Sequence, residues 1–321
     1  MNRKLTSKFV IPLFLTPAII LFVAFIAYPV CNTIYLSFHS WKGIYGSPVN
    51  FVGMKNYLQV LQDDAFWRSL VNSFYFMVGG FVVLMPLSFG LALLITSKLR
   101  GTKLMKTAYF MPVMLSTTAV ALMWVYILNP SFGVVNQLLG FLGLESLQQD
   151  WLSTPGLNIW CVVLVNEWMY AGYNMLIFAA GLVSIPSDVY EAAELDGCTG
   201  WKKLRYISVP LSKESFKIFS VLCVTGCLKA FDLVWAMTKG GPNHSSEVPA
   251  SLLYNEAFTF KFFGKSSAIG VCIHFCSVLD DNDNLPAVYH NPLFTQGQCR
   301  NHVGNVITAK ETDVVKLYAS I

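Results

Sequence analysis

One carboxylate, Glu167, sits in the middle of an otherwise uncharged run spanning residues 157–185. A charge in apolar surroundings is expensive, so a carboxylate placed there is expected to face a cavity or a partner. The same run carries Asn166, Trp168, Tyr170, Tyr173 and Asn174. Amides and phenols exchange hydrogen bonds with hydroxyls, and aromatic faces cover C–H surfaces. Together these six side chains suit a polyhydroxylated solute held in an apolar frame. Helix packing and interhelical hydrogen bonding explain any single one of them equally well, Glu167 least so. Other spacings yield less chemistry. Gly264-Lys265-Ser266 looks like the tail of a phosphate-binding loop, but the glycine that opens such a loop would be residue 259, which is Thr259. No metalloprotease helix motif or nucleophile elbow occurs. The i,i+4 pairs Cys223/Cys227 and Cys272/Cys276 lie in apolar runs and read as small buried hydrophobes rather than metal ligands. No catalytic residue, metal site or directly bound cofactor is therefore expected.

The elements that must position these groups are membrane-spanning. Apolar residues make up 55% of the chain and charged residues 12%, about half the charged share of a soluble domain. The net charge of +4 is modest and gives no reason to expect nucleic-acid binding. Apolar runs cover 9–38, 69–97, 107–128, 157–185 and 216–237, and a bilayer crossing needs about 20 residues. The first run is too long for a secretory signal and lacks a small-residue cleavage site, so it reads as an uncleaved span. The fifth holds Lys229 and Asp232, three apart and expected on one helix face. Twelve Lys and Arg fall before the first run and between alternate runs, against six in the other connections. The positive-inside rule then puts the N-terminus in the cytoplasm and the loop 129–156 outside. The fold class expected is an all-α integral membrane protein with five clear spans.

One polar stretch stands apart between two of these runs. Residues 191–210 read EAAELDGCTGWKKLRYISVP. Ser187 is placed to cap a helix, with Asp188 in its first turn. Val189, Ala192, Ala193 and Asp196 follow at helical spacing on one face. Gly197 is the expected terminator, because glycine adopts the left-handed conformation at little cost. Residues 201–206 restart as a second short helix. By the charge count this helix–glycine–helix unit lies in the cytoplasm.

Glu191, Ala192, Ala193, Asp196, Gly197, Ile207 and Pro210 match the signature loop of permease subunits of binding-protein-dependent ABC importers, which this chain resembles. Cys198, Val209 and Glu214 depart from the usual alanine, leucine and proline. The resemblance implies a type I importer fold, a bundle of six spans, in a multi-pass subunit of a bacterial inner or plasma membrane. It implies that the loop 186–215 docks into a cleft of cytoplasmic ATPase subunits, which use the ATP. The other implied partners are a second permease subunit in a heterodimer and an extracellular or periplasmic solute-binding protein. Trp41, residues 51–57 (FVGMKNY) and Gly240-Gly241-Pro242 resemble the branch carrying sugars and glycerol phosphates. Asn166, Glu167, Trp168, Tyr170, Tyr173 and Asn174 are then candidates for the substrate pathway, with an ion or amino-acid importer as the alternative. A non-transporting receptor or scaffold that binds a soluble partner through the same loop is the alternative function.

Three regions follow. Residues 1–68 hold an N-terminal tail, the first span and an external loop. Residues 69–279 form the importer domain, and 280–321 an atypical polar tail. The sixth span is expected to be truncated or altered, because its apolar run stops at Leu279 and Asp280-Asp281-Asn282-Asp283-Asn284 follows. Read one nucleotide later, the codons of that cluster encode only Met, Ile or Thr. A shift of reading frame between Val271 and Leu279 is therefore the expectation for the tail.

Overall fold

The computed structural model describes residues 14–283 except Tyr45, Lys98 and Leu99, with side chains in the last helix described as far as Phe275. The reading-frame expectation concerns residues that lie, beyond Asp283, outside those described. The chain is a helical bundle. Helix α1, Phe14–Ser37, and helix α3, Asp64–Thr96, are each long and apolar enough to cross a membrane. Between them come a small antiparallel pair, β1 His39–Ser40 and β2 Asn50–Phe51, and the short helix α2, Lys55–Leu61. Asp63 caps α3 by accepting a hydrogen bond from Ala65 N at 2.9 Å.

The third apolar run is two helices rather than one. Helices α4, Thr102–Met114, and α5, Thr117–Ile127, meet at 95°. Pro112 lies inside the last turn of α4, and Leu115 and Ser116 take extended backbone, so the helical ladder is interrupted there. Helix α6, Val134–Phe141, follows in the next connection. The fourth run is the continuous 27-residue helix α7, Leu157–Val183, and α8, Ser187–Leu195, turns off its end at 71°. A short helix α9, Gly200–Lys203, leads on to α10, Lys213–Lys229. The fifth run also breaks: α10 ends at Lys229, Ala230 and Phe231 leave the helical region, and α11 is Asp232–Met237. Lys229 and Asp232 are therefore on two helices and not on one face, as their spacing had suggested. Helices α12, Pro249–Tyr254, and α13, Phe263–Asp283, complete the described bundle, and α13 runs through the segment where the altered sixth span was expected.

Three wide i→i+5 turns share one local cause. They are Val23–Ala27, Gly80–Leu84 and Leu204–Ser208, and each ends two residues before a proline: Pro29, Pro86 and Pro210. Proline lacks an N–H and clashes with the carbonyl four residues back. Widening the preceding turn relieves that clash and lets the helix continue through it.

Helix α7 is the axis of the packing. It lies against α3, α4 and α10. Phe76, Val163 and Met169 belong to one apolar cluster around it, and Phe89, Met175 and Phe178 to another. At Gly172 the backbone of α4 comes so close that a Cβ would collide with the carbonyl of Tyr109. Small residues permit such approach between helices in membranes. By contrast, the apolar window of α1 has none of its residues buried, as expected for a surface that meets lipid.

Candidate functional site

The breaks in α4/α5 and α10/α11 and the wide turn of α3 converge on one cavity of about 340 Å3. Irregular backbone at membrane depth is tolerated where it lines a cavity. Gly80 and Leu84 of the wide turn, Thr117 after the first break, and Ala230 with Phe231 at the second all form its wall. Helix α7 contributes Asn166, Glu167, Tyr170, Tyr173 and Asn174. Five of the six candidate pathway residues are thus brought together. Trp168 is not in the wall; it lies edge-on to Trp124 at 5.7 Å and is 40% exposed. The helical spacing of 100° per residue swings it away from Glu167.

Glu167 is 2% exposed. Its Oε1 accepts one long hydrogen bond, from Asn166 Nδ2 at 3.5 Å, and its Oε2 has no partner among the described residues. A second buried carboxylate gives the contrast. Glu247, 1% exposed, accepts from Asn255 Nδ2 at 2.7 Å and pairs with the ring of His244. Glu247 belongs to a latch that sequence reading missed. Asn72 of α3 donates to the carbonyls of Ser245 and Glu247, and Asn158 of α7 donates to the Gly241 carbonyl and Ser245 Oγ. These bonds fix the loop containing Gly240-Gly241-Pro242 to two spans. The clue was Asn72 and Asn158 near the ends of apolar runs. Glu247 is satisfied inside the protein, whereas Glu167 has hydrogen-bonding capacity left over, and it faces the cavity. Lys229 and Asp232 add two ionisable groups to the same wall.

Gly264-Lys265-Ser266 has a structural role. Lys265 Nζ donates to Asp63 at 2.7 Å and Glu256 at 2.6 Å, and Ser266 Oγ donates to the Leu253 carbonyl. This ties α13 to the start of α3.

The polar stretch lies at the opposite end of α7 from the latch. In α8 Pro186, not Ser187, occupies the cap position, and Ser187 Oγ donates to Asp188 Oδ1. Val189 and Ala193 are buried, Ala192 is half-buried, and Glu191 and Asp196 are exposed, so the four-residue face expected from spacing narrows to two buried anchors. Gly197 ends the helix with φ of +74°. Gly200 has a second positive φ, which the sequence reading did not single out. Lys203 then folds back, pairing with Glu194 at 2.8 Å and lying 4.6 Å from the Tyr190 ring centroid. Ile207 is buried at 2% exposure in the cluster that holds Val189 and Ala193, and the wide turn before Pro210 carries it there. Outward, the unit shows Glu191, Asp196, Leu195 at 90% exposure and Trp201 at 74%.

These features define an integral membrane transport subunit, with a polar cavity among broken helices and a short-helix unit at one end. The family described as binding-protein-dependent transport system inner membrane component matches residues 85–279. A probable ABC transporter permease protein of Pyrococcus horikoshii is 36% identical over 274 residues, covering 85% of this chain and 93% of the relative. A probable starch degradation products transport system permease protein of Thermoanaerobacterium thermosulfurigenes is 30% identical over 249 residues, covering 77% and 82%. The bacterial alginate ABC transporter, solved in complex with an alginate pentasaccharide-bound periplasmic protein, has a chain that superposes with a TM-score of 0.75 at 22% identity, covering 86% of this chain and 93% of that one. The chain belongs to the family of inner membrane permease subunits of binding-protein-dependent ABC importers. Subunits of this family are not themselves enzymes and have no ATPase of their own.

Proposed function

We propose that this permease forms one wall of the pathway for a sugar or related polyhydroxylated solute, and that residues 186–215 couple it to a separate cytoplasmic ATPase. The observation that carries the coupling role is the outward face of α8. Its buried anchors seat it on the bundle while Glu191, Leu195 and Asp196 stay exposed, a mixed apolar and acidic surface free to enter a cleft. The conserved-type motif residues divide accordingly. Ala193, Ile207 and Pro210 build the seat, Gly197 sets the turn, and Glu191, Ala192 and Asp196 meet the partner. ATP is bound and hydrolysed by that partner.

The solute class is supported by the cavity chemistry. Two amides, two phenols and one unsatisfied carboxylate lie beside Phe76, Phe219 and Phe231. That combination matches alternating hydroxyls and C–H faces. The relatives named for sugar uptake agree with it. A second permease subunit completes the pathway, and a solute-binding protein delivers to the end holding the Gly240-Gly241-Pro242 latch. The N-terminus and α8 lie in the cytoplasm, in keeping with the excess of Lys and Arg on that side.

The test is reconstitution of the complete transporter in proteoliposomes. Glu191→Lys is expected to abolish solute-stimulated ATP hydrolysis, with normal amounts of permease in the membrane. Full stimulation in that variant would count against the docking role.

A further inference from the structure

One short helix at the Asp63 end of the bundle, α6, has a polar side chain as its one buried residue. In α6 the polar residue Asn136 points inward and is 7% exposed. Its Nδ2 donates to the carbonyls of Pro130 and Gln149, and its Oδ1 accepts from Trp151 Nε1 at 2.8 Å. Its own carbonyl accepts from Gln148 Nε2 at 2.8 Å. On the outer face Val134 is 62% exposed, Leu138 56% and Phe141 88%. A helix resting on a soluble core turns its apolar stripe inward and its polar side to water. Here a fully satisfied asparagine holds the opposite orientation. Helix α2 also buries an asparagine, with Asn56, 6% exposed, donating to the carbonyls of Ser37 and His39, but it turns Val60 inward as well, fully buried in an apolar cluster.

The outward apolar face is continuous with a membrane-crossing segment. Tyr126, near the end of α5 and 65% exposed, lies 6.2 Å from the ring of Phe132, which is 55% exposed and leads directly into α6. We propose that α6 and its flanks lie in the bilayer surface at this end, along the boundary between headgroups and acyl chains, as an interfacial anchor for the connection between α5 and α7. Lipid fits better than a soluble protein partner. Residues 129–156 contain no Lys or Arg and only two acids, so the segment has little to offer a charged protein surface. Tyr126, 65% exposed, is of the aromatic type that favours the interfacial level. An apolar helix face meeting that boundary is the ordinary mode of binding for interfacial helices. In this position α6 sets the depth and tilt of α5 and α7, which carry the cavity wall.

The complete transporter, with the chain's cysteines replaced, is labelled with one nitroxide at Leu138→Cys or Phe141→Cys and reconstituted in phosphatidylethanolamine/phosphatidylglycerol bilayers. Collision with oxygen, which enters the hydrocarbon, is compared with collision with a water-soluble nickel chelate. The oxygen-to-nickel ratio at both positions is expected to exceed that at Ser146→Cys several-fold while staying below that at Leu122→Cys in α5. A ratio like that of Ser146→Cys means an aqueous surface and overturns the proposal. Loss of both collisions in the complete transporter, but not in the chain alone, means that another protein covers the helix and also overturns it. The unaltered chain gives an independent reading. A carbene-generating acyl-chain probe in the same bilayers is expected to insert within residues 132–142, and insertion confined to the spans contradicts the anchor.

Discussion

Replacing Gly197 by asparagine, alanine and valine separates the effect of backbone conformation from that of crowding. A Cβ built at Gly197 meets nothing within 4 Å, so added bulk has no neighbour to push. The penalty comes from φ of +74° alone. For an ordinary side chain the left-handed region costs roughly 1–2 kcal/mol, less for asparagine and more for a β-branched residue. Opposing it is the seat of the loop. Burial of the Val189 and Ile207 side chains is worth roughly 1.5–3 kcal/mol each. The Glu194–Lys203 pair is more than half exposed on the glutamate side, 57%, and adds little. The seat therefore outweighs the strain of alanine, and the permease remains inserted and folded. The strain falls on the turn, where local opening is expected to rise by roughly 5- to 30-fold for Gly197→Ala. Hydrogen exchange across residues 186–215 reads that directly, without the ATPase. Solute uptake in the reconstituted transporter should fall in the order asparagine, alanine, valine. Equal exchange and equal uptake for all three variants would refute the reasoning, because nothing but the left-handed backbone distinguishes them.

Glu167→Ala is expected to reduce uptake strongly with an unchanged amount of permease in the membrane, since Oε2 has no hydrogen-bond partner among the described residues; loss of the protein itself in immunoblots of membranes would contradict this. Lys265→Met removes the ammonium between Asp63 and Glu256, of which Glu256 is only 8% exposed. Its cost is about 2–4 kcal/mol of stability, read as a lower melting temperature in detergent. The same ion-pair cluster predicts a pH dependence. Burial pushes Asp63 up, but the Lys265 ammonium and the Ala65 N–H outweigh it and hold its carboxyl below the ordinary 3.8. Its contribution is therefore present above that value and lost as pH falls through the depressed one, a loss that Asp63→Asn should not show. Ser146→Cys in a cysteine-free background should react with a membrane-impermeant thiol reagent on intact cells; reaction only after lysis reverses the topology.

Much of this was legible from residue type alone. Charge placement and apolar run length located the helices, because hydrocarbon penalises every exposed polar group in the same way. The motif located the short-helix unit at the end of α7, and Gly197 announced its turn. The breaks were not legible. In a run such as 107–128 hydropathy is uniform, and nothing in it records that Leu115 and Ser116 leave the helix. Prolines were ambiguous for a related reason. Pro112 sits before a break, whereas Pro29, Pro86 and Pro210 each follow a wide turn, and residue type alone does not tell the two outcomes apart. Helical spacing put Trp168 beside Glu167 in sequence but could not say which of the two the neighbouring helices would enclose. The latch eluded sequence reading because Asn72, Asn158 and Glu247 are far apart in the chain and come together only through the fold.

The contact at Gly172 has a mechanical consequence. With no side chain at Gly172, α4 and α7 come together backbone to backbone there. They behave as one strut. Helix α8 hangs from the far end of that strut through a three-residue elbow at 184–186, and Thr117 of the cavity wall begins just past the end of α4. If α8 is the docking unit proposed above, a displacement applied there is expected to pass along α7 and across the Gly172 contact into α4, towards the joint after Met114. The joint, where Leu115 and Ser116 take extended backbone, is the expected point at which such a push becomes a change in the shape of the cavity.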